Sequence, residues 1–194
     1  AIESEGIKYE EEFILNSRGL KLFTCRWVPA NQQPKALIFM CHGYAMECSI
    51  SMEGTGIRLA KAGYEVHGID YEGHGKSDGL PGLVPSFDNV VNDCSQHFTK
   101  VSEKKDNKVK QRFLLGESMG GVVALRVHRK QPDFYDGAIL VAPMCKIADD
   151  MRPHPVVVTI LTKLCNFIPT WRIVPTQDVV DAAIKETKRR EEVN

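Results

Sequence analysis

The pattern Gly-x-Ser-x-Gly occurs twice in this chain, as Gly116-Glu117-Ser118-Met119-Gly120 and as Gly75-Lys76-Ser77-Asp78-Gly79. A serine hydroxyl attacks a carbonyl only when a sharp turn lifts it clear of the backbone. That geometry needs a strand leading in, small residues crowded about the turn, and a helix leading out. Ser118 has all three: "RFLL" precedes it, Gly116, Gly120 and Gly121 surround it, and "VVAL" follows. Amides at the start of the following helix would then favour negative charge beside the serine. Ser77 is followed by "LPGLVPSF", with two prolines and no helical pattern. It reads as part of a glycine-rich surface loop.

Acyl transfer also requires amide donors for the carbonyl oxygen as it becomes an anion. One is the N–H of the residue after the nucleophile, Met119; the other should come from the loop after an earlier strand. "LIFMCHGYA" supplies such a loop, and the N–H of Tyr44 is the second expected donor. His42 precedes Tyr44 in that turn motif and reads as a structural hydrogen-bonding residue rather than a base.

These residues need a frame. Strands are expected within "YEEEFILNSRGLKLFTCRWVP", two of them about the turn Asn16–Gly19, and at "KALIFMC", "YEVHGID", "RFLLG" and "GAILVAP". Helices are expected over "SMEGTGIRLAKAG", stopped by Gly63, over the stretch after Ser86, and over "GGVVALRVHRKQP". Ser86 is the N-cap of the second, with Phe87, Val90, Val91, Cys94 and Phe98 on one apolar face. Alternating strands and helices predict an α/β fold with a mostly parallel sheet flanked by helices. After Pro143 the texture changes. "MRPHPVVVTILTKLCNFIPTWRIVP" holds four prolines about an apolar stretch, and two readings stay open for it: a cap over the site, or an ordinary packed helix. The expected division is 1–143 for the core and 144–194 for the beginning of a cap.

Composition bounds the partners. Hydrophobic residues make up 43% and charged residues 26%; 25 basic residues balance 25 acidic ones. A net charge of zero gives no support for a nucleic-acid partner. The six cysteines are scattered, several within apolar runs. They read as reduced core thiols of an intracellular protein, not as a zinc set or a disulfide framework. No metal or cofactor is expected. With no signal-peptide pattern and no apolar run of spanning length, the expected location is the cytoplasm. Peripheral membrane contact through the apolar segment is left open.

In order, "HGY", "DYEGHGKSDG" and "GESMGG" resemble the motifs of the α/β-hydrolase superfamily. The resemblance lies within its monoacylglycerol lipase and lysophospholipase-like serine hydrolases, nearest the plant-type branch that includes caffeoylshikimate esterase. It implies an α/β-hydrolase fold with an inserted helical cap. It also implies Ser118 as nucleophile, backbone N–H groups of Tyr44 and Met119 as the oxyanion hole, a structural role for the "GHGKSDG" loop, and a small-molecule ester or lipid as substrate. Many relatives carry another glycine where this chain has Ala45.

The base and acid are harder to find. In this fold they follow the nucleophile, acid before histidine. His128 lies ten residues on in the same expected helix, about 15 Å along its axis, and cannot reach Ser118. His154 stands between Pro153 and Pro155 and reads as a cap-surface residue; using it would require Asp133, Asp136, Asp149 or Asp150 as the acid. The catalytic Asp and His are therefore expected outside this chain, with the later strands supplied by further residues or a second polypeptide. The 194 residues alone are expected to be inactive. Two functions remain: a serine hydrolase cleaving carboxylic esters, or a non-catalytic hydrolase-fold binding module or inactive fragment.

Overall fold

The computed structural model describes residues 6–145. Of the segment expected to form the cap, residues 146–194, with His154, Asp149, Asp150 and Cys165, lie outside them.

Six strands form one sheet: β1 (Ile7–Leu15), β2 (Lys21–Pro29), β3 (Ala36–Cys41), β4 (Glu65–Ile69), β5 (Gln111–Glu117) and β6 (Gly137–Val141). Their order is β1-β2-β4-β3-β5-β6. β3 pairs in parallel with β4 on one side and β5 on the other, and β5 pairs in parallel with β6. β1 and β2 form an antiparallel hairpin, and β2 joins β4 antiparallel. The hairpin turns at Gly19, whose φ of 80° suits a residue without a Cβ.

Side chains alternate across a strand, so β3 feeds two cores. Leu37, Phe39 and Cys41 pack with Val90, Val91, Cys94, Phe98 and Val101 of α3 (Phe87–Ser102) and with Val123, Ala124 and Val127 of α4 (Met119–Lys130). Ile38 and Met40 face the other way, onto Met52 and α2 (Glu53–Lys61). A single helix was expected over 51–63; the chain forms α1 (Cys48–Ser51) and α2, separated at Met52. Gly56 lies in α2 because a Cβ there would fall 2.6 Å from the Trp27 ring. Ser86 caps α3 as expected, its hydroxyl accepting from the Asn89 N–H.

One expectation needs correction. Cys25, Cys41, Cys48 and Cys94 are buried thiols, but Cys145 is exposed, because it follows β6 in the loop leaving the sheet. Among the described residues β6 is the sheet edge, and Ile139 and Val141 are nearly half exposed. Among these residues no helix is long and apolar enough to cross a membrane.

Burial of histidine makes the fold acid-sensitive. His42 and His97 are each pushed down from 6.5 to about 3, mainly by burial. His67 and two lysines add to the effect at His97; at His42 the Gly43 carbonyl partly opposes it. The folded chain keeps both rings neutral, whereas the unfolded chain protonates them near pH 6.5. Stability is therefore full above that pH and is lost as pH falls toward 3, by about 1.4 kcal/mol per pH unit per ring. Glu65, held near 2 beside His67 and Lys110, adds a loss below its ordinary value of 4.5. The melting temperature is expected to fall steadily from pH 7 to pH 5, and less steeply in His97→Phe. A flat or rising profile over that interval contradicts this account.

Candidate active site

In an open parallel sheet, ligands bind where neighbouring strands send their connections to opposite sides. β3 is that place here. It lies between β4 and β5, and Cys41 at its end is in register with Gly116 of β5. The residues that follow, His42-Gly43-Tyr44 from β3 and Glu117-Ser118-Met119 from β5, therefore emerge side by side. A Cβ on Gly43 would lie 3.5 Å from that of Ser118.

Ser118 sits between β5 and α4 with φ 54° and ψ −120°. Such a backbone costs a residue with a side chain about 1–3 kcal/mol, and persists only where its surroundings enforce it. The enforcement is visible. The Ser118 N–H donates to the Val141 carbonyl, and its own carbonyl accepts from the N–H groups of Gly121 and Met144, each at 3.0 Å. Three glycines permit the crowding. A Cβ on Gly116 would lie 2.4 Å from the Gly120 carbonyl oxygen, one on Gly120 2.0 Å from that of Cys41, and one on Gly121 2.7 Å from Pro143 Cβ. Ser118 occupies the N-cap position of α4, yet its side chain makes no capping bond. Its hydroxyl thus stands at the positive end of a twelve-residue helix, beside N–H groups that no helical carbonyl can satisfy. Met119, first of these, has a buried side chain.

The turn after β3 is held from within. His42 is fully buried, and its Nε2 accepts from the Tyr71 N–H at 3.2 Å. That assigns the proton to Nδ1, which donates to the Gly43 carbonyl at 2.7 Å. The same carbonyl accepts from the Met46 N–H at 3.3 Å. A peptide unit is planar, so anchoring the Gly43 C=O also aims the Tyr44 N–H, its other end, in the opposite direction. The Tyr71 hydroxyl donates to the His42 carbonyl at 3.0 Å, and the two rings stack at 3.8 Å. Both ring nitrogens of His42 are thus occupied and its pKa is depressed, the condition of a strut rather than a base.

The second Gly-x-Ser-x-Gly copy is structural. Ser77 Oγ accepts from the Phe23 N–H and donates to the Asp70 carbonyl, tying its loop to β2 and β4. The residue is half-buried, not free on the surface as a loop serine would be. Buried Asp70 holds the loop further, accepting from the N–H groups of Cys48 and Lys76.

No described histidine hydrogen-bonds the Ser118 hydroxyl. His128 lies near the far end of α4. Asp136 accepts from the Arg112 N–H at the start of β5, at the end of that strand away from Ser118, and Asp133 is in the same connection. Neither can serve as the acid. The chain brings Ser118, Tyr44 and Met119 together, and among residues 6–145 no histidine–carboxylate pair is placed against the serine. Sequence reasoning missed Tyr71 as the partner that fixes the His42 tautomer. It also missed His74, whose ring lies 5.4 Å from that of His42 and 5.6 Å from that of Tyr44. Both stand in "DYEGHG", but nothing in the order of residues reveals which ring lies against which.

The family described as serine aminopeptidase, S33, matches residues 32–194. Caffeoylshikimate esterase of Arabidopsis thaliana is 29% identical over 96% of this chain and 56% of its own length. Monoglyceride lipase of Homo sapiens is 36% identical over 72% of this chain and 45% of its own. The chain thus spans about half the length of these relatives. Among solved structures, an alpha/beta hydrolase from Penicillium sp. sh18 superposes with a TM-score of 0.69 at 21% identity, over 84% of this chain and 56% of that one. At that identity the likeness establishes the fold.

Proposed function

This chain belongs to the α/β-hydrolase family whose motif matches residues 32–194, and from that membership we propose that the protein hydrolyses carboxylic esters through an acyl-enzyme on Ser118. One observation carries the proposal. A serine at a strained strand–helix turn stands at the N-cap of α4 with no capping bond from its side chain, and its Cβ lies beside Gly43. Ser118 Oγ attacks the ester carbonyl carbon. Charge gathers on the carbonyl oxygen, and the N–H groups of Tyr44 and Met119 receive it. The tetrahedral centre collapses, the alcohol leaves, and water repeats the sequence to free the acid. The histidine that takes the Ser118 proton and the carboxylate that orients it are assigned to residues outside 6–145. No metal or cofactor enters this chemistry.

The relatives named as an esterase and lipases support this reading, and an exposed apolar rim of Tyr44, Val141 and Met144 supports an acyl or aryl ester as substrate. Monoacylglycerols, lysophospholipids and phenolic esters all fit that description. The decisive comparison sets p-nitrophenyl butyrate against alanine p-nitroanilide, because the matching family is described as an aminopeptidase. Faster turnover of the ester, with labelling of Ser118 by a fluorophosphonate, is the expected result for the complete protein. Turnover of the anilide alone moves the reading to peptide substrates. Absence of both turnover and label makes the protein a binding module.

A further inference from the structure

The Gly43–Tyr44 peptide is anchored from within by His42, but the chain beyond it is not relaxed. Ala45 has a φ of 57°, a conformation that residues with a Cβ avoid. A turn carrying that strain next to a functional amide would rotate toward an easier geometry unless held on its outer side as well. The outer contact is the Tyr44 side chain. Its hydroxyl donates to the Gly82 carbonyl at 2.8 Å, and its ring stands edge-on to His74 at 5.6 Å and 75°.

The acceptor is itself fixed. The Gly82 N–H donates to the Gly73 carbonyl, the Gly73 N–H to Asp78, and the Leu83 N–H to Leu80, at 2.8–2.9 Å. Ser77 ties the same loop to β2 through the Phe23 N–H. A line of constraint therefore runs from the sheet through the loop to Gly82, then through the Tyr44 ring to the peptide beside Ser118. His74 adds to it, donating through Nδ1 to the Glu72 carbonyl, with its ring 5.4 Å from that of His42 and 5.6 Å from that of Tyr44.

We propose that Tyr44 acts twice: its backbone N–H receives the oxyanion, and its side chain, latched to Gly82, is a positioning residue that holds that N–H on aim. The latch rests on the reading of Tyr44 as an oxyanion donor, and the test separates the two. Tyr44→Phe keeps the ring and removes only the hydroxyl. Losing a whole oxyanion donor costs about 100–1000-fold in kcat; a donor left in place but loosened should cost less, about tenfold. The loss should appear in kcat with KM unchanged, since the contact matters most when the oxygen is charged. Affinity for a phenylboronic acid, which forms the same tetrahedral anion on serine, should fall by the same factor.

Rates of the parent and Tyr44→Phe are normalised to active sites counted with a fluorophosphonate, and those of Ser118→Ala to folded protein measured by circular dichroism, so that misfolded protein does not enter. If Ser118→Ala abolishes turnover while Tyr44→Phe leaves kcat and boronate affinity unchanged, the latch is wrong and the esterase reading stands. If Tyr44→Phe raises KM alone, the hydroxyl contacts substrate and the latch is equally wrong. If Ser118→Ala retains turnover, the catalytic reading fails and takes the latch with it.

Discussion

Ser118→Ala should lower ester turnover by at least about a thousandfold, the scale seen when a serine nucleophile is removed and only oxyanion stabilisation and binding remain. The fold should not suffer. The hydroxyl makes no capping bond, so its loss leaves no buried partner unsatisfied. Stability should even respond in the opposite sense when the strain is relieved: Ser118→Gly, at φ 54°, is expected to be inactive and more stable than the parent by about 1 kcal/mol. Ser77→Ala is the matching control from the other Gly-x-Ser-x-Gly copy. It should retain most of its activity per folded molecule and lose about 1–2 kcal/mol, because the Phe23 N–H and Asp70 carbonyl lose their partner. Steady-state rates with urea denaturation on the three variants test this assignment. Near-parent turnover by Ser118→Ala would end it.

Gly120→Ala should abolish folding outright. The added methyl would lie 2.0 Å from the Cys41 carbonyl oxygen, 2.5 Å from its carbon and 2.6 Å from the His42 carbonyl oxygen. All three are backbone atoms of β3 and the turn after it, and none can swing aside as a side chain would. Relief requires α4 to move off the sheet and break its packing through Val123, Ala124 and Val127. A loss beyond about 4 kcal/mol is expected, seen as insoluble expression or loss of cooperative melting. Gly54→Ala is the reference. A Cβ there meets only the tip of Arg58 at 3.5 Å, and removing a helical glycine should stabilise by about 0.5–1 kcal/mol. Parent-like melting of Gly120→Ala would mean that α4 and β3 do not approach as closely as described.

Much of the frame was legible because periodicity reports burial. "ALIFMC" is apolar throughout since β3 is covered on both faces, and the spacing of Val90, Val91, Cys94 and Phe98 places α3 on the sheet. Ser118 was legible because the backbone crowding at its turn excludes side chains, and glycines record that exclusion in the sequence. What stayed hidden depended on contacts between distant segments. The break at Met52 and the exposure of Cys145 are set by neighbours. Tyr44 could be assigned for its backbone position, but its hydroxyl contact spans 38 residues to Gly82, and no local pattern encodes such a pairing.

The crowding between Gly120 and the end of β3 also bears on how this protein can be altered. Because α4 touches β3 backbone to backbone, the spacing between Ser118 and the Gly43–Tyr44 peptide is set by atoms every residue possesses rather than by side chains chosen for the task. If Ser118 is the nucleophile proposed above, the rim residues Val141 and Met144 are separate from the positions that set the approach of α4 to β3. A library that randomises Val141 and Met144 while fixing Gly43, Gly116, Gly120 and Gly121 can explore new esters without disturbing the reacting centre. One that opens the glycines would spend most of its members on chains that never fold. Inheritance is subject to the same division: descendants of this sequence are free to drift at the exposed rim long before they drift at the backbone contact beneath Ser118.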